Sequence, residues 1–364
     1  VMSKETLLKK AKGSLTVSKI LKKQRKRNPA APFITSTIQQ EAARKIGFTT
    51  RKTMMVAQQL YEGIEIGSGS VGLITYMRTD SVHLASEAVE DIRDFIEKRF
   101  GKDNLPAQPP TYKTKSKNAQ EAHEAIRPSA IKQTPEMLKE YLNADQLKLY
   151  TLIWKRTVAC QMIHATINTV SIDFSCPEQS VFRANGSTIK TPGFMAVYLE
   201  GQDDNAEDDS EEKLLPEFIE GEKIQLHDVV STQHHTEPPP RYSEASLVKA
   251  LEEHGIGRPS TYSSIIQTLQ QRDYVTLEKK RFMPTDVGRV VARFLTEHFS
   301  KYVDYDFTAQ LEDKLDDIAI GEKAWIPVLA EFWSPFNEQI SHIEDTVQRK
   351  DVTQEMTDEK CPKC

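Results

Sequence analysis

The stretch Tyr242–Val275, YSEASLVKALEEHGIGRPSTYSSIIQTLQQRDYV, predicts two helices separated by a glycine turn. Apolar residues recur at helical spacing before Gly255 and again after Ser260, which we expect to cap the second helix. A hairpin turning at Lys279–Lys280 and a third helix over residues 285–298 follow. This is the element order of a winged helix, so the stretch predicts a fold that binds a duplex or a single strand of nucleic acid.

Upstream of this stretch the chain alternates between predicted helices and strands. Ser36 or Thr37 can cap a helix that Gly47 ends, and a second short helix with Met54, Met55, Ala57 and Leu60 inward would complete a helix-turn-helix, a common and unspecific pattern. Further helices are expected from Ser86 and over 138–161. Alternation and β-rich composition predict strands at 14–20, 72–76, 165–174, 180–184, 193–199 and 223–230. Pro238–Pro240 predicts a stiff joint before the winged-helix stretch.

Length and composition indicate a cytoplasmic protein of several domains. The chain has 364 residues, of which 38% are hydrophobic and 28% charged, so two to four domains are expected. No apolar stretch approaches the roughly 20 residues that span a bilayer, and the lysine-rich N-terminus has no apolar signal core.

The net charge of −5 hides an uneven distribution of charged residues. Residues 202–213, QDDNAEDDSEEK, contain seven acids and one lysine, whereas residues 1–27 contain ten Lys or Arg and one Glu. The acidic run is typical of a solvated loop. The basic segment is explained equally well by contact with DNA phosphates and by a solubilising tail.

The four cysteines do not form a disulfide framework in a chain of this size. Cys160 and Cys176 lie among apolar residues and are expected to be buried free thiols. Cys361 and Cys364 form a CxxC motif, which can be a redox pair or half of a tetrahedral zinc site. The absence of a predicted βαβ context favours the interrupted zinc module.

The segment Tyr76–Ser81, YMRTDS, combines a phenol with a guanidinium two residues further on. Tyr76 and Arg78 would point to the same side of an extended chain. A phenol, with an ordinary pKa of about 10, needs assistance to attack a phosphodiester. A guanidinium favours the phenolate and binds phosphoryl oxygens. Most of the eleven tyrosines are expected to serve packing or surface roles, so the spacing alone does not establish catalysis.

A second candidate cluster lies in Gln120–Ser129, QEAHEAIRPS. His123 and Arg127 are four residues apart and could meet a phosphate from one helical face. The alternative is a helix end with His123 hydrogen-bonded locally. The segment lacks the second histidine of a zinc HExxH motif, and His234–His235 is weak as a metal site because neighbours on a strand face opposite ways.

Several long motifs together resemble one family. GLITYMRTDS, QEAHEAIRPS, the winged-helix stretch and YDFTAQLEDKLD resemble bacterial type IA DNA topoisomerases, as does PFITSTIQQEAARKIGFTTRKTMMVAQQLY over Pro32–Tyr61. The resemblance covers nearly the whole chain in the family's order.

The resemblance implies a role for each matching residue. Tyr76 would attack single-stranded DNA and hold its 5′ phosphate, Arg78 would stabilise the phosphoryl charge, and His123 would contact the region of the scissile phosphate. Further residues fall where the family contacts the DNA strand: Arg258, Ser260, Thr261, Arg272 and Tyr274.

The implied fold is a partial torus, mainly α with a β-rich arch domain and winged-helix-like helical domains. Residues 1–35 and 163–240 would form the discontinuous arch, and residues 36–162 the helical domain that carries Tyr76. Residues 241–350 would form part of the helical DNA-binding base, and residues 351–364 the start of a truncated zinc ribbon.

The family's N-terminal metal-binding domain has no counterpart in the sequence. We therefore expect a fragment that binds DNA but is inactive by itself, with Mg²⁺ bound only in the full-length enzyme and Zn²⁺ in the C-terminal module. The expected partners are single-stranded and negatively supercoiled DNA, and the expected state is a monomer with no membrane association. The alternatives are a non-catalytic DNA-binding scaffold, which would not need YMRTDS, and the decatenating topoisomerase III group, against which the CPKC start argues.

Overall fold

The computed structural model describes residues 13–67, 69–113, 123–176, 180–201, 214–230, 232–348, 350 and 352. The acidic run 202–213, the basic residues 1–12 and the CxxC pair Cys361 and Cys364 lie outside these described residues. Within the described part, no helix is long and apolar enough to cross a membrane.

The helices described in the structure account for most of its regular elements. They are α1 (Thr35–Ile46), α2 (Thr50–Glu62), α3 (Ser86–Phe100), α4 (Pro135–Leu138), α5 (Ala144–Ala159), α6 (Glu244–Glu253), α7 (Tyr262–Gln271), α8 (Asp286–His298), α9 (Tyr305–Ala319) and α10 (Trp325–Thr346). Two 3₁₀ turns are Lys102–Asn104 and Gly193–Ala196.

The strands form one four-stranded sheet and two small hairpins. They are β1 (Ser14–Arg27), β2 (Ile64–Glu65), β3 (Ser70–Val71), β4 (Ala165–Ser175), β5 (Val181–Thr191), β6 (Lys223–Gln225), β7 (Val275–Glu278) and β8 (Arg281–Pro284). The sheet is antiparallel with the order β5-β4-β1-β6, whereas β2 pairs with β3 and β7 with β8.

The sheet joins distant parts of the chain. Strand β1 pairs with β4 along its length, from Thr16 opposite Ser175 to Arg27 opposite Ala165. One end of the sheet is apolar, because Val17 and Ile172 are buried in the same small core. The other end of β1 is exposed and basic, with the sequence KKQRKR over 22–27. The expected domain boundaries near 35, 163 and 240 stay predictions.

The largest core lies between α1 and α5 and contains Phe33, Leu60 and Tyr150, all fully buried. Helix α1 ends where Gly47 adopts φ 67°, a left-handed conformation that glycine tolerates best, and α2 begins three residues later. The expected pair of short helices is present. The expected cap at Ser36 or Thr37 is wrong, because α1 begins at Thr35 and Ile34 occupies its N-cap position. The expected inward position of Met55 is wrong, because its side chain is 54% exposed on the outer face of α2.

The winged-helix stretch folds in the predicted order of α6, α7, hairpin and α8. Lys279 and Lys280 have φ values of 47° and 64° and form the two-residue turn of the hairpin. The expected cap at Ser260 is wrong: α7 begins at Tyr262, and Thr261 occupies the N-cap position. The hydroxyl of Thr261 instead accepts a hydrogen bond from the Arg258 amide at 2.8 Å.

Other expected elements also differ from the structure. The strand expected over 193–199 is absent, since Gly193–Ala196 form a 3₁₀ turn, and only 223–225 of the expected strand 223–230 are regular. Strand β5 is longer than expected. The helix expected over 138–161 is interrupted between α4 and α5, where Asn143 caps α5 by accepting from the Asp145 and Gln146 amides. Residues 72–76 form no regular strand, and Ile74 makes only an isolated bridge.

Candidate active site

The segment before Tyr76 packs directly against the end of helix α2. The Leu73 amide donates to the Leu60 carbonyl at 2.7 Å. Gly72 allows this approach, because a Cβ atom at this position would lie 2.6 Å from the Tyr61 carbonyl oxygen. The backbone leading to the phenol is therefore fixed to a helix.

A second set of contacts fixes the same segment to residues 125–128. The Thr75 amide donates to the Arg127 carbonyl at 2.9 Å, and the Thr75 hydroxyl donates to the Ala125 carbonyl at 2.7 Å. Ile74 forms an antiparallel bridge with Pro128. These contacts replace the regular strand that the sequence predicted.

Thr35, the first residue of α1, holds the segment on the other side of Tyr76. Its hydroxyl lies 2.8 Å from the Met77 carbonyl oxygen and 3.0 Å from that of Thr79, and accepts from the Thr79 amide at 2.9 Å. Its amide also donates to the Thr79 carbonyl at 2.9 Å. We call this set of bonds the Thr35 clamp. Nothing in the sequence singled out Thr35, whose partners lie more than forty residues away.

Exposure alternates along this clamped segment. Met77 and Thr79 are buried, whereas Tyr76 is 40% exposed and Arg78 is exposed. Among the described residues, neither the Tyr76 hydroxyl nor the Arg78 guanidinium has a hydrogen-bond or ion-pair partner. The alternation expected for Tyr76 and Arg78 is thus present without a regular strand, and both side chains are exposed.

Two rings flank the Tyr76 phenol. The Tyr61 ring lies edge-on with its centroid 5.4 Å from that of Tyr76, and the His123 ring does so at 5.9 Å. Edge-to-face contacts of this kind orient aromatic rings. The structure therefore brings together Tyr76 and His123, two of the predicted site residues, and adds Tyr61.

The helical face expected to unite His123 and Arg127 does not exist. Residues 123–129 are extended, and Ile126 bridges to Phe33. In an extended chain a spacing of four does not place two side chains as a helix turn would. Arg127 pairs instead with Glu124, Nη2 to Oε2 at 2.6 Å, so its guanidinium has a structural partner.

Arg258, in the turn between α6 and α7, is surrounded by carboxylates of α9. Its Nη1 lies 2.7 Å from Glu312 Oε2, and its Nη2 lies 2.8 Å from Asp316 Oδ2 and 3.3 Å from Asp313 Oδ1. We call these three residues the α9 carboxylates. The pKa of Glu312 is raised, chiefly because burial disfavours its charged form, although Arg258 acts in the opposite direction.

The other predicted DNA contacts are more accessible. Ser260 and Arg272 are exposed, and Tyr274 is half-buried. Thr261 is engaged with the backbone of Arg258, from which it accepts and to which it donates. Nothing in the described structure brings Arg272 or Tyr274 into the cavity that adjoins Arg258.

The cavity beside Arg258, of about 660 Å³, is lined both by residues that follow Tyr76 and by residues of the turn between α6 and α7. Thr79 and Asp80, just after Tyr76, line one wall, and Gly257, Arg258 and Tyr262 line the other. The volume is in the range that holds small ligands. Residues from the segment after Tyr76 and from the turn Gly255–Tyr262, which we call the GIGRPSTY turn, therefore line one cavity.

No three His, Cys, Asp or Glu side chains come together as a metal site within the described residues. His234 lies 2.7 Å from the Thr232 hydroxyl rather than beside other metal ligands. Cys160 and Cys176 are buried free thiols, as expected.

Comparison with known proteins places this geometry in context. A family model described as DNA topoisomerase matches residues 2–330. The chain is 56% identical over 344 residues to DNA topoisomerase 1 of Xylella fastidiosa (strain Temecula1), covering 94% of this chain and 42% of that protein. It is also 56% identical over 330 residues to DNA topoisomerase 1 of Rickettsia felis, covering 90% and 42% respectively.

A solved structure shows the same architecture. The full-length topoisomerase I from Thermotoga maritima superposes with a TM-score of 0.81 at 36% identity, covering 99% of this chain and 57% of that one. The chain thus spans less than half the length of the two relatives named above.

Proposed function

The chain belongs to the bacterial DNA topoisomerase family, and on that basis we propose that it supplies the nucleophile and part of the strand-binding surface of a type IA topoisomerase. The observation that carries this proposal is the position of Tyr76. Its phenol is exposed and unpartnered within the described structure, yet its backbone is fixed on both sides. A positioned nucleophile of this kind reduces the entropy lost on reaching the transition state.

The proposed reaction is a reversible transesterification. The Tyr76 phenol gives up its proton and its oxygen attacks the phosphorus of a DNA phosphodiester. The bond from phosphorus to the 3′ oxygen breaks, and that oxygen takes up a proton and leaves as a 3′ hydroxyl. The 5′ phosphate remains on Tyr76. Because one phosphate ester replaces another, the 3′ hydroxyl can reverse the step without ATP.

Arg78 and His123 are proposed to assist this step. The Arg78 guanidinium, exposed two residues from Tyr76, can donate to the phosphoryl oxygens as negative charge develops on them. The His123 ring, which already touches that of Tyr76, can contact the phosphate region and hold the phenol in place.

The strand is proposed to run from Tyr76 towards the GIGRPSTY turn. Ser260 and Arg272 are exposed and can contact phosphates, and Thr261 and Tyr274 lie close to them in the chain. Arg258 can contribute only if a phosphate competes with the α9 carboxylates. Such contacts recognise the backbone, so binding should depend little on sequence.

For the whole protein we propose ATP-independent relaxation of negative supercoils, acting on single-stranded regions of negatively supercoiled DNA, as a monomer. Mg²⁺ is proposed to serve the full-length enzyme. The described residues do not fit a magnesium site, since no suitable set of carboxylates converges there. The steps above therefore use only side chains of this chain.

The test uses a chimera in which this chain replaces the matching segment of the Xylella fastidiosa relative. Single-stranded oligonucleotides labelled at either end are incubated with the chimera and resolved under denaturing conditions. A 3′-end label should remain on the protein, whereas a 5′-end label should be released on a shortened strand. Tyr76→Phe should abolish labelling of the protein.

Tyr61→Phe is the matched control, because Tyr61 is an exposed tyrosine in contact with Tyr76. This variant should still form the adduct. Labelling of the Tyr76→Phe protein would assign the nucleophile to another residue, and retention of the 5′-end label would reverse the proposed polarity.

A further inference from the structure

The cavity beside the Thr35 clamp is bordered by the N-terminus of α1. Ile34, Ser36 and Thr37 line it, together with Thr79 from the far side of the clamp and Lys113. The residues already assigned to strand cleavage, Tyr76, Arg78 and His123, are not part of its wall. The cavity is therefore a separate place beside the nucleophile segment.

Helix α1 presents unsatisfied donors at this end. Its N-cap residue is Ile34, which has no side-chain acceptor for the amides of the first turn. The amides of Ser36 and Thr37 consequently receive no capping bond from the side chain where Ser, Thr, Asp or Asn would provide one. The free amides and the helix dipole together favour an anion at this position.

An independent observation comes from the Ser36 side chain. Ser36 is only 2% exposed and lines the cavity, and among the described residues its hydroxyl has no hydrogen-bond partner. A buried hydroxyl without a partner is unfavourable, so it is usually satisfied by protein, water or ligand. One turn further along α1, Gln39 is fully buried and both of its amide atoms also lack partners.

The wall of the cavity carries both basic and acidic residues. Lys113 and Arg156 line it, and Arg156 is also bonded to Glu200. Asp313 and Asp316 line it as well and are paired with Arg258. The remaining acidic residues of the wall are Asp80, Glu252, which accepts from Gln40, and Glu253, which pairs with Lys249. The positive groups at the N-terminus of α1 are its first amides and Arg156, whose Nε donates to the Ala31 carbonyl, and these groups suit an anion.

We propose that the N-terminus of α1 binds one backbone phosphate of the DNA strand, held by the Ser36 hydroxyl and the amides of Ser36 and Thr37. The inference rests on the proposed function and adds to it a phosphate subsite next to the nucleophile segment. The Thr35 clamp connects this subsite to Met77 and Thr79 by hydrogen bonds of 2.8–3.0 Å. A phosphate bound there fixes the register of the strand relative to Tyr76, so Ser36 is a positioning residue.

The test measures binding of fluorescent oligo-dT to the 364-residue chain by anisotropy. A set of oligonucleotides each carries one uncharged methylphosphonate at a different position. For the unsubstituted chain one position should weaken binding about tenfold, the scale of a hydrogen bond to a charged group. Ser36→Ala should weaken binding of the all-phosphate strand. It should also reduce, but not abolish, the effect of the methylphosphonate at that one position, because the amides of Ser36 and Thr37 remain.

Two controls separate this subsite from a structural role and from the proposed function. Ser341→Ala removes an exposed serine hydroxyl on α10 and should behave as the unsubstituted chain. Because the Ser36 hydroxyl has no partner in the part of the chain that the structure describes, Ser36→Ala should melt no lower than the unsubstituted chain. Identical methylphosphonate profiles for both serine variants would overturn the subsite alone.

If the unsubstituted chain does not bind single-stranded DNA, both the proposed function and the subsite are wrong. A further experiment measures the melting temperature of the chain in the presence of inorganic phosphate. If phosphate raises the melting temperature through Ser36 while the oligonucleotide profiles of the two variants stay identical, the site binds free phosphate and the assignment to a DNA strand is wrong.

Discussion

The ring of His123 lies edge-on to the ring of Tyr76, with 5.9 Å between the centroids and 67° between the planes. His123 lies forty-seven residues after Tyr76 in the sequence. Its segment is held by the bond from the Ala125 amide to the His83 carbonyl at 2.8 Å. The two segments are also bonded to each other, since the Thr75 amide donates to the Arg127 carbonyl, so the ring contact depends on how they are held together.

Substitution of His123 should separate the packing of its ring from its chemistry. His123→Phe keeps an aromatic ring beside Tyr76 but removes both ring nitrogens. If the imidazole contacts the phosphate, this variant of the chimera should cleave at least tenfold more slowly while its melting temperature changes little. Single-turnover adduct formation measures the rate. A His123→Phe protein that cleaves at the normal rate would leave His123 a packing role only.

Arg78→Ala should slow adduct formation in the chimera by about 10²–10³-fold, the scale of one lost transition-state donor. The effect should fall mainly on the cleavage rate rather than on strand affinity, because developing charge strengthens the contact. Arg51→Ala, at an exposed arginine of α2, is the matched control. Equal rates for the two variants would show that Arg78 takes no part in cleavage.

Arg258→Ala should lower stability, because it leaves the three α9 carboxylates without their shared cation. We expect a loss of about 1–3 kcal/mol, measured by denaturant unfolding. Arg272→Ala, at an exposed residue, should leave stability unchanged. Each variant should also reduce the slope of log affinity against log salt by about one unit if its guanidinium meets a phosphate. An unchanged slope for Arg258→Ala would assign Arg258 to bracing α9 alone.

The raised pKa of Glu312 predicts a specific dependence of stability on pH. Because the folded state binds this proton more tightly than the unfolded chain, Glu312 adds stability that is present below its ordinary pKa of 4.5. That stability is lost as pH rises through the raised pKa. Glu312→Gln should remove this contribution, so its melting temperature should vary less with pH from 4.5 upward. If the melting temperatures of both proteins depend on pH in the same way, the raised pKa of Glu312 is contradicted.

The helical elements were predicted well where periodicity and end signals agreed. Gly47 ends α1 because it adopts a left-handed conformation that favours glycine. The turn at Lys279–Lys280 follows from the two flanking strands, although both lysines have positive φ values. Ser260 failed as a cap because the neighbouring Thr261 bonds the Arg258 amide and takes the N-cap position. Residues 193–199 failed as a strand because an apolar run can also be buried in a 3₁₀ turn.

The sequence predicted the residues of the candidate site but not the contacts that hold them in place. The spacing of Tyr76 and Arg78 predicted that both side chains would point to the same side of the chain, and both are exposed in the structure. The helical pairing of His123 with Arg127 was wrong, since long-range bridges hold this segment extended. The Thr35 clamp and the α9 carboxylates are contacts between residues 42 to 58 positions apart, which local patterns do not encode.

The contact between α1 and α6 has a consequence for how Tyr76 can travel. The bonds across it are polar: Gln40 donates to Glu252 at 3.3 Å, and the Thr50 amide at the start of α2 donates to Glu244 at 2.5 Å. The buried apolar residues on the two sides belong to separate cores. Parting the two sides would break hydrogen bonds that water can replace, without opening either core. Because the Thr35 clamp ties the segment that carries Tyr76 to α1, the phenol would move together with that helix.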